Sequence, residues 1–177
     1  DMSFAKVWIS GGDTLPLEVK EQVDAWRKEH NVDSPIFSGI GLTEAAAAVA
    51  FTGLKSEHPD SVGYPLPLND VKIINQETGK EVGYGELGEL CISGPTVMQE
   101  YYNNPEATSK AIRKHEDGKS WLHTGDICMI LENGEIKFAD RNTNVIIVSG
   151  VNVYSNAIEK VICEIDEVEA CVVVKKP

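Results

Sequence analysis

Residues 36–44 read Ile-Phe-Ser-Gly-Ile-Gly-Leu-Thr-Glu, and this stretch decides how the surrounding chain is interpreted. The apolar residues 36–38 predict a short strand that runs into the glycine turn 39–41. The alanine-rich segment after Thr43 predicts either a helix or an extended segment. Upstream, the sequence predicts a buried strand from Val7 to Ser10, a glycine turn, and a helix from about Pro16 to His30. Together these patterns predict the end of an α/β layer.

From Val71 onward the pattern changes, and it predicts a mainly β, barrel-like subdomain. Strands are predicted at 71–74 and 88–93, and Asn133-Gly134 predicts a hairpin between strands 127–131 and 135–138. Asn104 and Pro105 predict the start of a helix that ends near Lys114. After a polar break at 140–144, the chain predicts a strand (145–148), a glycine turn, a helix (155–164) and a strand (168–174). The predicted fold is therefore of the mixed α/β (α+β) class.

The composition narrows the classes of partner. With 16 basic and 28 acidic residues among 177, the net charge is -12, which opposes attraction to nucleic acid phosphates or to an anionic membrane surface. The longest apolar run, residues 45–51, is far shorter than the roughly 20 residues of a membrane-spanning helix. The four cysteines form no CxxC pair and lie in apolar segments, which predicts buried free thiols and a cytoplasmic protein.

The segment Gly39–Glu44 carries groups suited to a nucleotide. Its glycines allow close backbone approach, the Thr43 hydroxyl can bond a phosphate, and the Glu44 carboxylate can hold Mg²⁺. It is not the dinucleotide fingerprint, because Glu44 stands at the position of the third glycine, and it is not a P-loop. The alternative is a turn with an N-capping Thr43, and the hexapeptide alone favours that alternative.

Two further segments place carboxylates near predicted strand ends. Residues 121–126 predict the end of a loop before an apolar strand, so that Asp126 could accept hydrogen bonds from the hydroxyls of a ribose. The alternative is an ordinary turn aspartate. Asp140 and Arg141 pair a carboxylate with a guanidinium at the polar break, and the alternative there is a weak surface salt bridge. Neither segment decides the function by itself.

The order and spacing of five motifs resemble the adenylate-forming superfamily of acyl-CoA synthetases, luciferases and peptide-synthetase adenylation domains. The motifs are a glycine turn at 9–12, the segment 39–44, a long glycine-rich motif from Gly85 to Thr108, Thr124-Gly125-Asp126, and Asp140-Arg141 with the loop 148–154. The loop 149–154 is most similar to bacterial fatty acyl-CoA ligases, in which it lies near the pantetheine arm of CoA. The resemblance thus favours CoA over a carrier protein as acceptor.

The resemblance implies a role for individual residues. Thr43 would contact the phosphate, Glu44 would bind Mg²⁺, Asp126 and Arg141 would hold the ribose hydroxyls, and Thr143 falls at the hinge position, where the family usually has lysine or aspartate. Ile40 stands where the family commonly has an aromatic residue that stacks on adenine. The implied catalytic residues are Thr43 and Glu44, and the implied binding residues are Gly11, Gly12, Asp13, Gly39, Ile40, Gly41, Asp126, Arg141, Ser149 and Gly150.

The resemblance also implies what the whole enzyme would do. The chain is expected to be an internal segment of an ATP-dependent acyl-CoA synthetase that uses a carboxylic acid, in this subgroup a fatty acid, with ATP, Mg²⁺ and CoA. Residues 1–139 would end the large domain (1–60 α/β, 61–139 β-rich), 140–144 would be the hinge, and 145–177 would begin the small domain. The family's phosphate loop and adenylation lysine are not found, so the 177 residues alone are expected to be inactive.

Two alternatives to this reading stay open. The first is an adenylation domain that passes the acyl group to a carrier protein, and the second is a catalytically dead nucleotide-binding module. Peripheral membrane contact of the whole enzyme is also left open, and the sequence indicates neither the acyl-chain length nor the oligomeric state.

Overall fold

A computed structural model describes residues 4–12, 15–148, 151–165 and 167–175. These residues form two sheets that share a core, followed by a two-stranded ribbon and a helix. The mixed α/β class predicted from the sequence is confirmed. None of the helices described is long and apolar enough to cross a membrane.

The first sheet has the strand order β1-β2-β3-β4. Its first two strands are parallel and are connected through helix α1, whereas the remaining pairs are antiparallel. Trp8 ties the first strand to the segment after the helix, because its indole N–H donates to Ser34 Oγ at 2.7 Å. The bounds are β1 (Trp8–Ser10), α1 (Leu17–Glu29), β2 (Ile36–Leu42), β3 (Ala47–Phe51) and β4 (Tyr64–Pro65).

The structure corrects the predicted burial of β1 and decides between a helix and an extended segment after Thr43. Strand β1 forms, but it is not buried: Ile9 is 65% exposed, because among the described strands β1 pairs with β2 alone. After Thr43 the chain makes one 3-10 turn and continues as strand β3 rather than as a helix. Ala46 and Ala47 adopt positive φ angles of 53° and 81°, and such residues end a right-handed helix.

The second sheet has the order β5-β6-β8-β7, and β9 also pairs with β8. All of its pairs are antiparallel. The strands of the described residues do not close into a barrel, so the barrel-like prediction was wrong in this respect. The long strand β8 includes residues 121–126, which the sequence predicted as the end of a loop. The bounds are β5 (Asp70–Ile74), β6 (Gly88–Ser93), β7 (Ile112–Lys114), β8 (Ser120–Ile130) and β9 (Ile136–Arg141).

Local turn chemistry explains the connections of this sheet. Helix α2 (Pro105–Ala111) is capped by Asn104, whose side chain accepts from the N–H of Ala107 at 3.0 Å. The helix ends before Lys114, because Ile112 leaves it to pair with Leu122 of β8. The predicted hairpin around Asn133-Gly134 is confirmed, and Gly134 has a φ of 87°.

The core joins both sheets. Strand β3 of the first sheet packs its buried side chains against strands of the second sheet. Glu135 is also fully buried, and its carboxylate accepts from the N–H groups of Glu57 and His58, each at 3.1 Å. The buried cluster consists of Ala45, Val49, Ala50, Ile73, Leu90, Ile92, Leu122, Cys128 and Ile136.

The last part of the chain forms a ribbon, β10 (Ile146–Val148) with β11 (Val151–Val153), and helix α3 (Ser155–Cys163). The predicted strand 168–174 does not form in the described residues. A strand needs a neighbouring strand to satisfy its backbone, and here the N–H of Val173 instead donates to the Glu159 side chain at 2.8 Å. Val172 and Val174 are accordingly 79% and 76% exposed.

Candidate functional site

A cleft of about 320 Å³ lies where the end of β2 meets strands β8 and β9. It brings together three segments that are far apart in the sequence: 41–44, 122–124 and Arg141. Tyr101 lines it from the loop before α2. The lining residues are Gly41, Leu42, Thr43, Glu44, Tyr101, Leu122, His123, Thr124 and Arg141.

Glu44 is held in the wall of this cleft by two contacts. Its backbone carbonyl accepts from the N–H of Met98 at 2.8 Å, and the Tyr101 hydroxyl donates to its Oε1 at 2.6 Å. That hydrogen bond raises the pKa of Tyr101. Gly41 must be a glycine here, because a Cβ would lie 1.9 Å from the carbonyl oxygen of Ala47. The 3-10 turn has Leu42 at its N-cap and no side-chain cap bond, so the N-capping alternative for Thr43 was wrong.

Asp126 and Arg141 lie opposite each other on paired strands at the edge of the cleft. Arg141 Nε lies 3.1 Å from Asp126 Oδ1, but the atoms are not aligned for a hydrogen bond, and this buried oxygen has no hydrogen-bond partner among the described residues. Asp126 is only 1% exposed, whereas the Arg141 side chain is 60% exposed. Burial raises the pKa of Asp126, Arg141 lowers it, and the charges of Glu89 and Glu44 raise it further. Asp126 is therefore a buried acceptor with an unused oxygen, and not an ordinary turn aspartate.

Glu89, a buried carboxylate that was not predicted from the sequence as a site residue, supports the turn that carries Asp126. Glu89 Oε1 accepts from the N–H of Gly125 at 3.0 Å, and its Oε2 lies 3.0 Å from His123 Nδ1. Burial alone would raise the pKa of Glu89, but His123 and the Gly125 N–H outweigh it and hold the pKa below its ordinary value. His123 Nε2 is in turn 3.0 Å from Nε2 of His115. The pairing of β6 with β8 brings these residues together.

Glu89, Cys91 and His123 also place potential metal ligands within 4.8 Å of one another. Burial, with the charge of Glu89, raises the pKa of Cys91 to about 12, so the thiol is protonated at neutral pH. Glu89 and His123 already satisfy each other. The cluster is best described as a hydrogen-bonded support for the cleft.

Asp140 does not pair with the neighbouring Arg141 side chain. It is fully buried and accepts at Oδ2 from Ser155 Oγ at 2.9 Å and from the N–H of Asn156 at 3.1 Å, so that it caps helix α3. Its Oδ1 accepts from the N–H of Arg141 at 2.7 Å and from Asn144 Nδ2 at 3.2 Å. The surface salt bridge weighed as the alternative for this pair was wrong, because each side chain contacts another element.

Comparison with known proteins shows the family to which the chain belongs. The profile of a family described as AMP-binding enzyme matches residues 1–102, more than half of the chain. The chain belongs to the AMP-binding enzyme family. The long-chain-fatty-acid–CoA ligase of Salmonella typhimurium is 36% identical over 177 residues, which are 99% of this chain and 30% of that enzyme. Luciferin 4-monooxygenase of Photinus pyralis is 36% identical over 164 residues, 93% of this chain and 28% of that protein.

The fold agrees with this membership of the AMP-binding enzyme family. The crystal structure of ATP-bound MatB from Rhodopseudomonas palustris superimposes with a TM-score of 0.82 at 28% identity, covering 95% of this chain and 32% of that one. The chain thus spans about a third of the length of the relatives it matches.

The remaining residues named from the family resemblance lie in different places. Gly11 and Gly12 follow β1 and are exposed, and neither lines the cleft. Gly39 and Ile40 lie in β2, and Ile40 packs against the shared core rather than lining the cleft. Thr143 is exposed in a 3-10 turn. Asp13, Ser149 and Gly150 lie outside the described residues.

Glu89→Gln is expected to loosen the turn that carries Asp126, so that hydrogen exchange at the Gly125 amide becomes about three- to tenfold faster, the effect of one hydrogen bond of roughly 1 kcal/mol. Glutamine carries no charge and offers a single acceptor atom in place of two, so its hydrogen bonds to the Gly125 N–H and His123 should be weaker. Hydrogen exchange followed by NMR measures the protection of the Gly125 amide. The exposed neighbour Glu86→Gln is the control. Unchanged exchange at Gly125 would contradict the supporting role.

Proposed function

We propose that this chain supplies the phosphate- and ribose-contacting part of the nucleotide site in an ATP-dependent carboxylate–CoA ligase. The observation that carries the proposal is the cleft in which Thr43 and Glu44 face Arg141, beside the buried and unpartnered Oδ1 of Asp126. A buried carboxylate oxygen without a donor is costly unless a ligand supplies one. The vicinal hydroxyls of a ribose are such donors.

The other lining groups fit the remainder of ATP. Thr43 is exposed and lines the cleft, so its hydroxyl can donate to a phosphate oxygen, and the largely exposed Arg141 side chain adds a positive charge. Glu44 uses Oε1 to accept from Tyr101, and its second oxygen can serve Mg²⁺, which favours carboxylate ligands. Mg²⁺ would neutralise charge on the phosphates while these side chains orient them.

The reaction proposed for the whole enzyme has two steps. The substrate carboxylate attacks the α-phosphate of ATP, the bond to pyrophosphate breaks, and acyl-AMP forms. The thiolate of CoA then attacks the acyl carbon, and AMP leaves with the electron pair of the broken C–O bond. In both steps Asp126 and Arg141 would hold the ribose, and Thr43 and Glu44 would position the phosphate and Mg²⁺. The long-chain-fatty-acid–CoA ligase relatives support a fatty acid as the substrate.

The domain assignment remains part of the proposal. Residues 1–139 would close the large domain, 140–144 would act as the hinge, and 145–177 would begin the small domain. The capping of α3 by Asp140 supports a connection at this point between the second sheet and the following helix. Because the chain spans about 30% of the Salmonella enzyme, the catalytic test uses the complete gene product.

The complete gene product, incubated with ATP, Mg²⁺, CoA and a panel of fatty acids, is expected to yield AMP and acyl-CoA, detected by mass spectrometry. Thr43→Val should lower kcat/KM for ATP by about tenfold, because it removes one hydrogen bond to a charged phosphate. Thr78→Val, on an exposed turn outside the cleft, is the matched control and should leave kcat/KM for ATP unchanged.

Three outcomes of this assay distinguish the alternatives. If only a phosphopantetheinylated carrier protein accepts the acyl group from acyl-AMP, then the acceptor is a carrier protein and not CoA. If pyrophosphate exchange depends on an acid other than a fatty acid, then the substrate belongs to that other class of carboxylic acid. If no acid supports exchange although AMP binds, the ligase proposal fails and a nucleotide-binding module remains.

A further inference from the structure

Two cysteines outside the cleft lie next to each other near the end of the described chain. Cys163 is the last residue of α3, and the chain then turns back so that Cys171 lies beside the same helix. The two Sγ atoms are 3.6 Å apart. The sequence predicted buried free thiols; both thiols are free, but the predicted burial was wrong for this pair, because Cys163 is exposed and Cys171 is partly exposed.

The returning segment is held against the helix by two contacts with Glu159. Cys171 Sγ contacts the carbonyl oxygen of Glu159 at 3.5 Å, and the N–H of Val173 donates to Glu159 Oε1 at 2.8 Å. Glu159 therefore holds the segment that contains Cys171 beside α3. The two sulfur atoms are already close together, so formation of a bond between them needs only a small side-chain movement.

The exposure of the four cysteines separates this pair from the others. Cys163 is exposed and Cys171 is partly exposed, whereas Cys91 and Cys128 are fully buried. Burial raises the pKa of Cys91 to about 12, which keeps that thiol protonated. An oxidant in solution can reach Cys163 first, and the sulfur closest to it belongs to Cys171. The geometry thus separates an attacking cysteine from a resolving one.

We propose that Cys163 and Cys171 form a reversible intramolecular disulfide in response to hydrogen peroxide. The Cys163 thiolate attacks one peroxide oxygen, the O–O bond breaks, and the sulfenic acid forms with release of water after protonation. The Cys171 thiolate then attacks this sulfur, the S–O bond breaks, the S–S bond forms, and a second water leaves. The two thiols lose two electrons and peroxide gains them. The product fixes residues 171–173 to α3, and this inference does not depend on the proposed ligase activity.

The test treats the 177-residue chain with peroxide, quenches with catalase, blocks free thiols and digests the product. Trypsin releases residues 161–175 as one peptide that contains both cysteines. A peptide with an internal disulfide escapes blocking and is two hydrogen atoms lighter than the same peptide with two free thiols. Dithiothreitol restores the mass of the free dithiol peptide. Cleavage after Glu164 and Glu167 should leave two peptides joined by the bridge.

Matched variants separate the two steps. Cys171→Ser should leave a sulfenic acid at Cys163 that dimedone captures, whereas Cys163→Ser should remove more than about nine-tenths of the peroxide-dependent thiol loss. Cys91 should be alkylated in full only after unfolding, which serves as the internal control for the buried thiols. Disulfides found only between two chains, or Cys163 oxidised to sulfinic acid with Cys171 still free, would overturn the proposal.

Discussion

Asp126→Asn is expected to weaken AMP binding by about ten- to a hundredfold, which corresponds to the roughly 1.5–3 kcal/mol of hydrogen bonds to a charged acceptor. The buried Oδ1 has no hydrogen-bond partner among the described residues, so it is free to accept from a ribose hydroxyl. Asparagine keeps the shape of the side chain but loses one acceptor and the charge. Titration of the chain with AMP, followed by NMR, gives the affinity.

The same substitution is expected not to destabilise the chain at pH 7. Burial raises the pKa of Asp126 in the folded state above its ordinary value of 3.8, so folding opposes ionisation of this carboxyl. A carboxyl whose pKa is raised by folding stabilises the folded chain below pH 3.8, and this stabilisation is lost as the pH rises through the folded pKa. Asparagine carries no charge, so the melting temperature at pH 7 should stay equal or increase. The difference should disappear in acid.

A ligand that lacks the ribose hydroxyls supplies the matched control for Asp126. The unmodified chain should bind AMP more tightly than 2′,3′-dideoxy-AMP, whereas Asp126→Asn should bind both with similar affinity. Asp33→Asn, at an exposed position, should keep the discrimination. If Asp126→Asn weakened both ligands equally, or lowered the melting temperature at pH 7, then Asp126 would be a structural residue and not the ribose contact.

Local sequence patterns predicted most of the individual elements. Asn104 with Pro105 marked the start of α2, and Asn133-Gly134 marked the hairpin, because caps and tight turns depend on residues that are adjacent in sequence. The end of α2 was missed, since Ile112 leaves the helix for a partner strand ten residues away. The strand predicted at 168–174 failed for the same reason: strand formation depends on a neighbour that local sequence does not reveal.

The site was predictable only where the groups belong to a motif. Thr43, Glu44, Asp126 and Arg141 were named from the order of motifs, and the cleft brings three of them together with the fourth at its edge. Glu89 lies in the glycine-rich motif 85–108, but the resemblance implied no site role for it, because its partners His123 and Gly125 reach it only through the pairing of β6 with β8. Its one available signal was a charged residue inside a strand that is otherwise apolar and buried, which requires a partner.

Asp140→Ala is expected to lower the free energy of unfolding by about 3 kcal/mol, because it removes a helix cap and leaves buried donors without an acceptor. The donors are Ser155 Oγ, the N–H groups of Asn156 and Arg141, and Asn144 Nδ2. Thermal or denaturant unfolding measures the loss, and the exposed Asp33→Ala serves as the control. In a cycle with Ser155→Ala, the two effects should not add, since both variants break the same hydrogen bond.

As the pH rises, Asp140→Ala should lose stability relative to the unmodified chain, whereas Asp126→Asn should gain it. Burial alone would raise the pKa of Asp140, but the hydrogen bonds from Asn156, Arg141, Ser155 and Asn144 outweigh it and hold the pKa below 3.8. The stability that this carboxylate contributes is therefore present above pH 3.8 and is lost as the pH falls through the lowered pKa. The difference in unfolding free energy between the unmodified chain and the variant should thus shrink in acid.

Asp140 and Arg141 also connect α3 to the cleft through consecutive residues. The Asp140 carboxylate accepts from the backbone N–H of Arg141 and at the same time holds the start of α3, while the Arg141 guanidinium lies against Asp126. Asp140→Ala should therefore accelerate hydrogen exchange in α3 and also weaken AMP binding, although Asp140 does not line the cleft. Ser155→Ala loosens the helix but leaves the bond to the Arg141 N–H, so it should accelerate exchange in α3 with a smaller loss of affinity. Equal losses of affinity in the two variants would mean that helix position, and not the placement of Arg141, controls the cleft.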